Sequence, residues 1–329
     1  MRTRALTLAG VAILGGLALT PPQPPARLNP VIELLEQKRP IFGLYAPANP
    51  RARPGAPAPE PSAVKTPAQL AQDALAYAGA DYIFDGSMER NFDRGYPVFV
   101  EFAQGMFNGG LLRKAPAPRL RQPLFVKTPE IAADPAKARE RISQQLNLGV
   151  SGIVFVDVRS ADEVKQGLEM MRFASKGGTR PDVVGSAPAL WGMHEPEYRE
   201  KADLWPLNPN GELVNFTIVE SLEGLAKVRE IAAVKGIGVL FPGAGTLRGV
   251  YSTTDSTGRR VLNQVAWEAA IQQVLAACQE FNVPCGYPAG EADIEMRMKQ
   301  GFGVFIIGWG EPGFRAVEIG RRVGGRVAD

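Results

Sequence analysis

The chain has 329 residues, of which 45% are hydrophobic and 22% are charged, so it is large enough and apolar enough to bury a sizeable core. Its formal net charge is +3, and acidic and basic residues are interspersed. Because the sequence has neither a Lys/Arg block nor a basic stripe with aromatic residues, we expect no nucleic-acid partner.

Residues 1–26 predict a targeting segment that is separate from the fold. Arg2 and Arg4 form a positive start, residues 5–19 are an uncharged apolar run, and a proline-rich stretch follows. The run is shorter than the about 20 residues of a membrane span and fits a secretory signal peptide. We therefore expect a periplasmic or secreted protein with no stable membrane span after processing. Because a small-residue cleavage site is missing, an uncleaved anchor at residues 5–19 stays open, and residues 27–329 are predicted to form one domain.

Two cysteines and one histidine limit the covalent and metal chemistry. Cys278 falls on a predicted helix and Cys285 at the start of the next predicted strand. An exported protein can form a disulfide, but we favour two small buried side chains here. With His194 as the only histidine, a metal site built from several histidines is excluded.

Short β-rich runs alternate with helical patterns along the chain, which indicates a parallel sheet with crossover helices. Eight such runs predict a (β/α)8 TIM barrel, and a doubly wound sheet is the structural alternative. The Pro/Ala-rich residues 46–63 predict a long loop after the first strand. The predicted strands are 41–45, 81–85, 123–127, 152–158, 214–219, 237–242, 283–287 and 303–308. The predicted helices are 67–78, 135–148, 161–173, 222–234, 260–281, 292–300 and 314–322.

Charged residues follow several of the predicted strands. Glu89 and Arg90 come after the second strand, Lys127 ends the third, Asp157 lies at the end of the fourth and Glu220 follows the fifth. In a (β/α)8 barrel the carboxyl ends of the strands meet at one mouth, where the active site lies. Carboxylates there bind a divalent cation or move protons, and Lys or Arg holds an anionic substrate.

Several segments of the sequence resemble motifs of the HpcH/HpaI aldolase/citrate lyase superfamily, and they occur along the chain in the same order as in the family. The segment LNLGVSGIVFVDVRSADE at 146–163 is similar to the family's ALDAGAQGIIVPMVxTAEE, and FTIVESLEGL at 216–225 is similar to VQVESxEAL. IGVLFPGAGTL at 237–247 is similar to IDGVFIGPADL, and residues 28–45 and 283–308 resemble the opening and closing strands. The resemblance implies a barrel of the phosphoenolpyruvate/pyruvate type, a homo-oligomer, and formation or cleavage of carbon–carbon bonds beside an oxo- or acyl group.

The resemblance also implies a divalent metal, Mg or Mn, held by two carboxylates, with an Arg and a His beside it. The metal-binding Glu of the family falls on Glu220, but the Asp of GPADL falls on Thr246. The Arg falls on Lys127, which keeps the charge and loses the bidentate fork. The Glu-His pair falls on Glu89-Arg90, so the histidine is absent.

The resemblance implies a carbon–carbon lyase of the retro-aldol type that acts on a small oxo- or hydroxy-acid, and these changes predict that its metal site is atypical. Glu220, assisted by Asp157, would bind the metal or transfer the proton. Lys127 and Arg90 would stabilise the enolate and the substrate carboxylate. A structural ion pair of Lys127 with Glu220 or Glu89 is an equally good interpretation of this lysine. The alternative is a non-catalytic exported barrel that binds a small organic acid. A glycosidase using Glu89 and Glu220 would need catalytic carboxylate spacing, and the resemblance argues against it.

Five further residues are predicted to bind substrate. Gly243, Ala244, Gly245 and Thr246 follow the sixth strand, where backbone N–H groups could meet a carboxylate or phosphate, although a tight turn explains the glycines equally simply. Trp191 lies in a segment, 185–191, that resembles a family stretch close to the active site. Core packing is an equally good interpretation of Trp191.

Overall fold

The computed structural model describes residues 27–50 and 64–326. Within them, eight parallel strands pair in the ring order β7-β8-β1-β2-β3-β4-β5-β6. A parallel bridge between Leu240 and Cys285 joins β6 to the start of β7. This is the (β/α)8 barrel that the sequence predicts, and the pairing of the first strand with the last rules out the doubly wound alternative. The strands are β1 (Ile41–Tyr45), β2 (Tyr82–Asp85), β3 (Leu124–Lys127), β4 (Gly152–Phe155), β5 (Leu213–Val219), β6 (Val239–Pro242), β7 (Gly286–Ala289) and β8 (Val304–Ile307).

Helices connect these strands and cover the outside of the barrel. In the described part of the chain they are α1 (Pro30–Glu36), α2 (Pro67–Ala76), α3 (Phe92–Asn108), α4 (Pro135–Leu146), α5 (Ala161–Met171), α6 (Ala187–Leu190), α7 (Glu195–Lys201), α8 (Leu222–Ala226), α9 (Val228–Ala232), α10 (Ala244–Val250), α11 (Gln264–Phe281), α12 (Ile294–Gln300) and α13 (Glu311–Val323). Shorter strands also occur, at Leu112–Arg113 with Arg119–Leu120, at Ser252–Thr254 with Arg260–Leu262, and at Leu204–Trp205 beside β5.

Polar side chains fix where the helices begin. At α2, the Thr66 hydroxyl accepts the N–H of Gln69, and the Gln69 side chain accepts the N–H of Thr66 in a reciprocal capping box. At α5, Ser160 accepts the N–H of Glu163, but the Glu163 carboxylate accepts the N–H of Arg159 instead of that of Ser160. Both caps satisfy backbone donors that the first turn of a helix leaves unpaired.

The inside of the barrel is filled by alternate residues of the strands and by one helix. Val31, Ile32, Leu34 and Leu35 of α1 pack into the same buried cluster as the inward-facing strand residues. Since α1 precedes β1, it closes the amino-terminal end of the barrel and leaves the opposite end as the mouth. Tyr82, Phe125 and Phe216, which are strand residues of this cluster, are fully buried, as expected for a packed barrel core.

The structure differs from the predicted elements at several positions. Helix α3 was not predicted, because Gly95, Pro97 and Gly105 interrupt its helical pattern. Gly95 is required by packing, since a Cβ there would lie 2.7 Å from the carbonyl oxygen of Ser87. The predicted helix 260–281 begins only at Gln264, and 222–234 divides into α8 and α9. Strand β7 begins three residues later than predicted.

A disulfide joins Cys278 and Cys285, whose Cα atoms are 5.6 Å apart, so the prediction of two free cysteines was wrong. Asn282 adopts a left-handed conformation after α11 and reverses the chain, which brings the last turn of the helix against the approach to β7. The prediction that both cysteines are buried is confirmed, because only 1% of the surface of Cys278 and 5% of that of Cys285 are exposed. No helix among the described residues is long and apolar enough to cross a membrane. The predicted targeting segment lies outside the described residues.

Candidate active site

Five polar residues lie at or just beyond the carboxyl ends of neighbouring strands. Tyr45 is the last residue of β1, Lys127 is the last of β3, and Glu220 directly follows β5. Glu89 lies between β2 and α3, and Asp157 lies two residues after β4. Because these strands are parallel neighbours, their carboxyl ends bring all five residues to the mouth.

Lys127 and Glu89 form an ion pair in which Nζ lies 2.9 Å from Oε2. Only 13% of the Lys127 side chain and 29% of the Glu89 side chain are exposed, so solvent screens the pair less than it screens a surface pair. The buried Gln145 of α4 donates from Nε2 to the carbonyl oxygen of Lys127 at 2.9 Å and fixes the end of β3. The ammonium group is therefore held in one place at the mouth.

Asp157 and Glu220 are joined through the backbone. The N–H of Asp157 donates to Oε1 of Glu220 at 3.1 Å. The two carboxylate oxygens of Asp157 differ in their contacts. Oδ2 accepts a hydrogen bond from Nε of Arg159 at 3.1 Å, whereas Oδ1 is buried and has no hydrogen-bond partner among the described residues. A buried acceptor without a partner is costly, and a bound ion or water is a usual explanation for one.

Gly243 allows β6 to approach Glu220. A Cβ at this position would lie 2.3 Å from Cβ and 2.6 Å from Oε2 of Glu220, which is impossible without a shift. Thr246, in the first turn of α10, lies close enough to the same carboxylate for its hydroxyl group to lower the pKa of Glu220. The residue that stands where the family carries an Asp is therefore still in contact with Glu220.

Burial sets the protonation of Glu220. The residue is 7% exposed, and loss of solvation raises the pKa of its carboxyl group. The Thr246 hydroxyl, the Lys127 ammonium and the Asp157 N–H act in the opposite direction, and Glu89 adds a smaller upward contribution. A buried carboxylate with a raised pKa is typical of functional sites and favours a positive ligand beside it.

Two further titratable side chains at the mouth, those of Tyr45 and Asp85, have raised pKa values. Loss of solvation, joined by the charges of Glu89, Glu220 and Asp85, raises the pKa of Tyr45 to about 12, although 40% of the residue is exposed. Burial also raises the pKa of Asp85, against two hydrogen bonds from Ser87. Tyr45 therefore remains a hydrogen-bond donor at neutral pH.

Negative charge exceeds positive charge among these residues. Lys127 pairs with Glu89, and Arg159 pairs with Asp157 and, at 3.5 Å, with the exposed Glu130. Glu220 and Asp85 have no cationic side chain hydrogen-bonded to them among the described residues.

This donor set fits a hard divalent cation, because Mg²⁺ is usually held by one or two carboxylates with substrate oxygens and water. In the part of the chain that the structure describes, no group of three or more His, Cys, Asp or Glu residues is arranged for a metal. The free Oδ1 of Asp157 and the carboxylate of Glu220 are the available oxygen donors.

The structure brings most, but not all, of the predicted residues together. At the mouth, Lys127 contacts Glu89. Glu220 lies beside both Asp157 and Thr246. The backbone around Ala244 lies at the beginning of α10, beside the same carboxylate, and Gly245 is exposed with open space around it. Arg90 is exposed and makes no hydrogen bond or ion pair with a described side chain.

Trp191 does not reach the mouth. It is fully buried, its Nε1 donates to the carbonyl oxygen of Gly149 at 2.8 Å, and its ring packs against Tyr198. Gly149 precedes β4, so this contact lies toward the amino-terminal end of the barrel. Trp191 therefore packs in the core, which was its alternative interpretation.

Sequence reasoning assigned no role to two residues at the mouth, Tyr45 and Arg159. The signal for Tyr45 was its position as the last residue of β1. Arg159 is in the segment that resembles the family, but its contact with Asp157 depends on the backbone turn after β4.

Comparison with known proteins agrees with the barrel fold. The family model for HpcH/HpaI aldolase/citrate lyase matches residues 111–299. A hydroxypyruvate/pyruvate aldolase from Paraburkholderia phytofirmans is 25% identical over 222 residues, which cover 67% of this chain and 69% of that protein. The crystal structure of a HpcH/HpaI aldolase/citrate lyase family protein from Burkholderia cenocepacia has a TM-score of 0.62 at 20% identity and covers 85% of this chain and 92% of its own. The CitE protein of Mycobacterium tuberculosis, in complex with magnesium and acetate, has a TM-score of 0.50 at 14% identity, with 89% and 94% covered. The chain belongs to the HpcH/HpaI aldolase/citrate lyase family.

Proposed function

We propose that this protein is an exported carbon–carbon lyase of the retro-aldol type that acts on a small oxo- or hydroxy-acid. The observation that carries the proposal is the part-buried Lys127–Glu89 ion pair, with its 2.9 Å separation, at the same mouth as Glu220 and Asp157. Membership of an aldolase/citrate lyase family and similarity to a pyruvate aldolase support the reaction class.

The proposed reaction uses the positive charge of Lys127. When a 4-hydroxy-2-oxo acid is cleaved, the hydroxyl group loses its proton, the C3–C4 bond breaks, and the bonding electrons form the enolate of the 2-oxo acid. The ammonium group of Lys127 stabilises the enolate oxygen, which is electrostatic work for a charge that is already fixed in place. Glu89 fixes Lys127 and takes the hydroxyl proton, and a proton returned to C3 completes the 2-oxo acid. Tyr45, which stays protonated, donates a hydrogen bond to the reacting oxygen.

Glu220 and Asp157 would hold a divalent cation such as Mg or Mn, which when bound supplies positive charge against the developing enolate. The free Oδ1 of Asp157 and the buried carboxylate of Glu220 support this assignment. The site is atypical because Thr246 supplies a hydroxyl group where the family has a carboxylate. The magnesium in the CitE structure supports a divalent cation in this fold.

The substrate is a small acid, and Arg90 is proposed to hold its carboxylate, together with the backbone of Gly243, Ala244 and Gly245. Arg90 follows Glu89 directly, and its side chain is exposed. The acetate bound in the CitE structure supports a ligand of this class. A homo-oligomer is also proposed, from the resemblance to the family.

Export to the periplasm or the outside of the cell is proposed from residues 1–26, as a signal peptide or an anchor at residues 5–19. The Cys278–Cys285 disulfide supports an oxidising compartment, because structural disulfides are rare in the cytosol.

A non-catalytic barrel that binds a small organic acid is the second candidate. It is favoured by one observation, the lack of a three-residue metal group among the described residues. It differs from the lyase in predicting ligand binding without turnover and without any need for metal.

Proton NMR of pyruvate in deuterated buffer tests the lyase directly. The protein is expected to exchange the methyl protons of pyruvate with added Mg²⁺ or Mn²⁺ and to stop doing so with chelator. Exchange that persists with chelator would overturn the metal assignment and leave Lys127 as the enolate's partner. An absence of exchange under both conditions would overturn the pyruvate-enolate chemistry and favour the binding protein.

A further inference from the structure

A charged cavity lies at the opposite end of the barrel from the mouth. Its volume is about 380 Å³, and α1, the segments that precede β1, β2 and β3, and the end of α13 surround it. All of these segments lie at the amino-terminal end of the strands. The charged side chains that line the cavity are Arg39, Arg113, Arg119, Arg121, Arg321, Arg326, Glu33 and Asp81.

Three of the six arginines are paired with the two carboxylates. Asp81 is buried, with Oδ1 at 2.9 Å from Nη2 of Arg321 and Oδ2 at 2.6 Å from Nη1 of Arg326. Arg119 Nη1 lies 2.6 Å from Oε2 of Glu33. These pairs hold the guanidinium groups on the wall of the cavity. The carboxylate of Asp81 pairs with two of the arginines.

The other three arginines have no such partner. Arg39, Arg113 and Arg121 are exposed and make no side-chain hydrogen bond or ion pair with a described residue. Six positive and two negative side chains leave the lining with a net charge of +4. Like charges gathered around one concave surface repel each other, so an anion with several charges would relieve this repulsion.

We propose that this cavity binds a small, multiply charged phosphate compound of the diphosphate class. Guanidinium groups present planar pairs of N–H donors that match phosphate oxygens, and lysine is absent from the lining. The volume falls within the usual range of about 300–1,000 Å³ for small-molecule sites. Since the cavity and the mouth lie at opposite ends of the strands, this site is independent of the proposed lyase reaction.

Isothermal titration calorimetry with sodium pyrophosphate tests the proposal on the full chain. Saturable binding is expected, and it should weaken as the salt concentration rises. The double variant Arg113→Gln/Arg121→Gln removes two unpaired arginines and should weaken binding by at least about tenfold, the effect of losing charge-assisted hydrogen bonds. The temperature of thermal unfolding should not fall and should rise slightly, because neither side chain has a partner to lose and the loss of two positive charges relieves repulsion.

The matched control is Arg94→Gln/Arg139→Gln, which removes two exposed arginines on α3 and α4. It should bind pyrophosphate as the unaltered protein does. Equal weakening in both double variants, or no saturable binding to the unaltered protein, would overturn the proposal.

Two further probes identify the source of the anion. Citrate that binds as tightly as pyrophosphate would overturn the assignment to phosphate. Sedimentation with vesicles that contain phosphatidylglycerol, without binding of pyrophosphate, would overturn the assignment to a soluble ligand and indicate a lipid headgroup.

Discussion

The backbone N–H of Asp157 donates a hydrogen bond to Oε1 of Glu220 at 3.1 Å, and Asp157 adopts a left-handed backbone with φ of +44°. This region costs an L-residue roughly 1–2 kcal/mol, although Asp tolerates it better than most. The surrounding barrel must supply that energy. Strain of this kind, beside a carboxylate oxygen without a partner, is typical of a site maintained for binding.

Replacing Asp157 with Gly should separate stability from function. Gly adopts positive φ without steric cost, so we expect Asp157→Gly to unfold at the same or a slightly higher temperature, with strain relief of about 1 kcal/mol. It should also lose the cation, because the free carboxylate oxygen is removed. Thermal unfolding and electron paramagnetic resonance titration with Mn²⁺ measure the two effects.

Lys38→Gly is the matched control, since Lys38 has φ of +52° and lies next to α1, at the far end of the barrel. This variant should gain stability in the same way and keep its Mn²⁺ binding. Unchanged Mn²⁺ binding in Asp157→Gly would remove Asp157 from the cation site.

Lys127 is expected to dominate the rate of pyruvate exchange. Lys127→Met should lower the rate by about 100-fold or more, the usual effect of removing a group that stabilises an oxyanion. Lys127→Arg should keep part of the rate, since the charge is retained in a different shape. Exchange is followed by the NMR assay. The control, Lys137→Met, changes an exposed lysine on α4 and should not alter the rate. Equal rates for Lys127→Met and the unaltered protein would contradict the assigned role.

The raised pKa of Glu220 predicts how its replacement changes stability with pH. Between its unfolded value, near 4.5, and its higher folded value, the native state holds more protons than the unfolded state, so this residue's contribution to stability falls as pH rises. Glu220→Gln removes this dependence. The variant should be more stable than the unaltered protein at neutral pH, and the gain should disappear as pH falls below 4.5.

Denaturant unfolding at several pH values, with chelator present, measures this difference. Glu230→Gln alters an exposed carboxylate on α9 and is the control, which should change stability little. Added Mn²⁺ should reverse the order, because a cation stabilises only the protein that keeps the carboxylate. A Glu220→Gln variant that is less stable at every pH would contradict this account.

The strands could be predicted more closely than the helices. Continuous apolar runs such as 304–307 mark a strand that is buried on both faces, and that pattern depends little on context. Helix α3 could not be predicted in this way, since Gly95 and Gly105 lower helix propensity and only tertiary packing explains them: a Cβ on Gly105 would lie 2.9 Å from Ala71 of α2. The disulfide was missed because it depends on the turn at Asn282.

The sequence was enough to predict which residues lie at the mouth when those residues stand at the ends of strands. Lys127 and Glu220 follow from their positions on β3 and β5 and from the resemblance to the family. The partner of each side chain did not follow, since the Lys127–Glu89 pair and the Arg159–Asp157 pair depend on loop conformations. Trp191 shows the same limit, because a segment near an active site in other members of the family here turns its ring into the core.

The packing of the barrel interior gives the last prediction. Gly152 of β4 lies beside the ring of Phe125 on β3, and a Cβ on Gly152 would lie 2.1 Å from that ring. Gly152→Ala should therefore destabilise the protein by about 1–3 kcal/mol or more, the cost of overpacking a core. Phe125→Leu in the same chain should recover part of this loss, because it removes the obstructing ring.

A double-mutant cycle from denaturant unfolding measures the coupling between the two residues. Gly303→Ala, where a Cβ would meet nothing within 4 Å, is the control and should change stability little. Additive effects of Gly152→Ala and Phe125→Leu would mean that the glycine is not needed for this aromatic ring to pack.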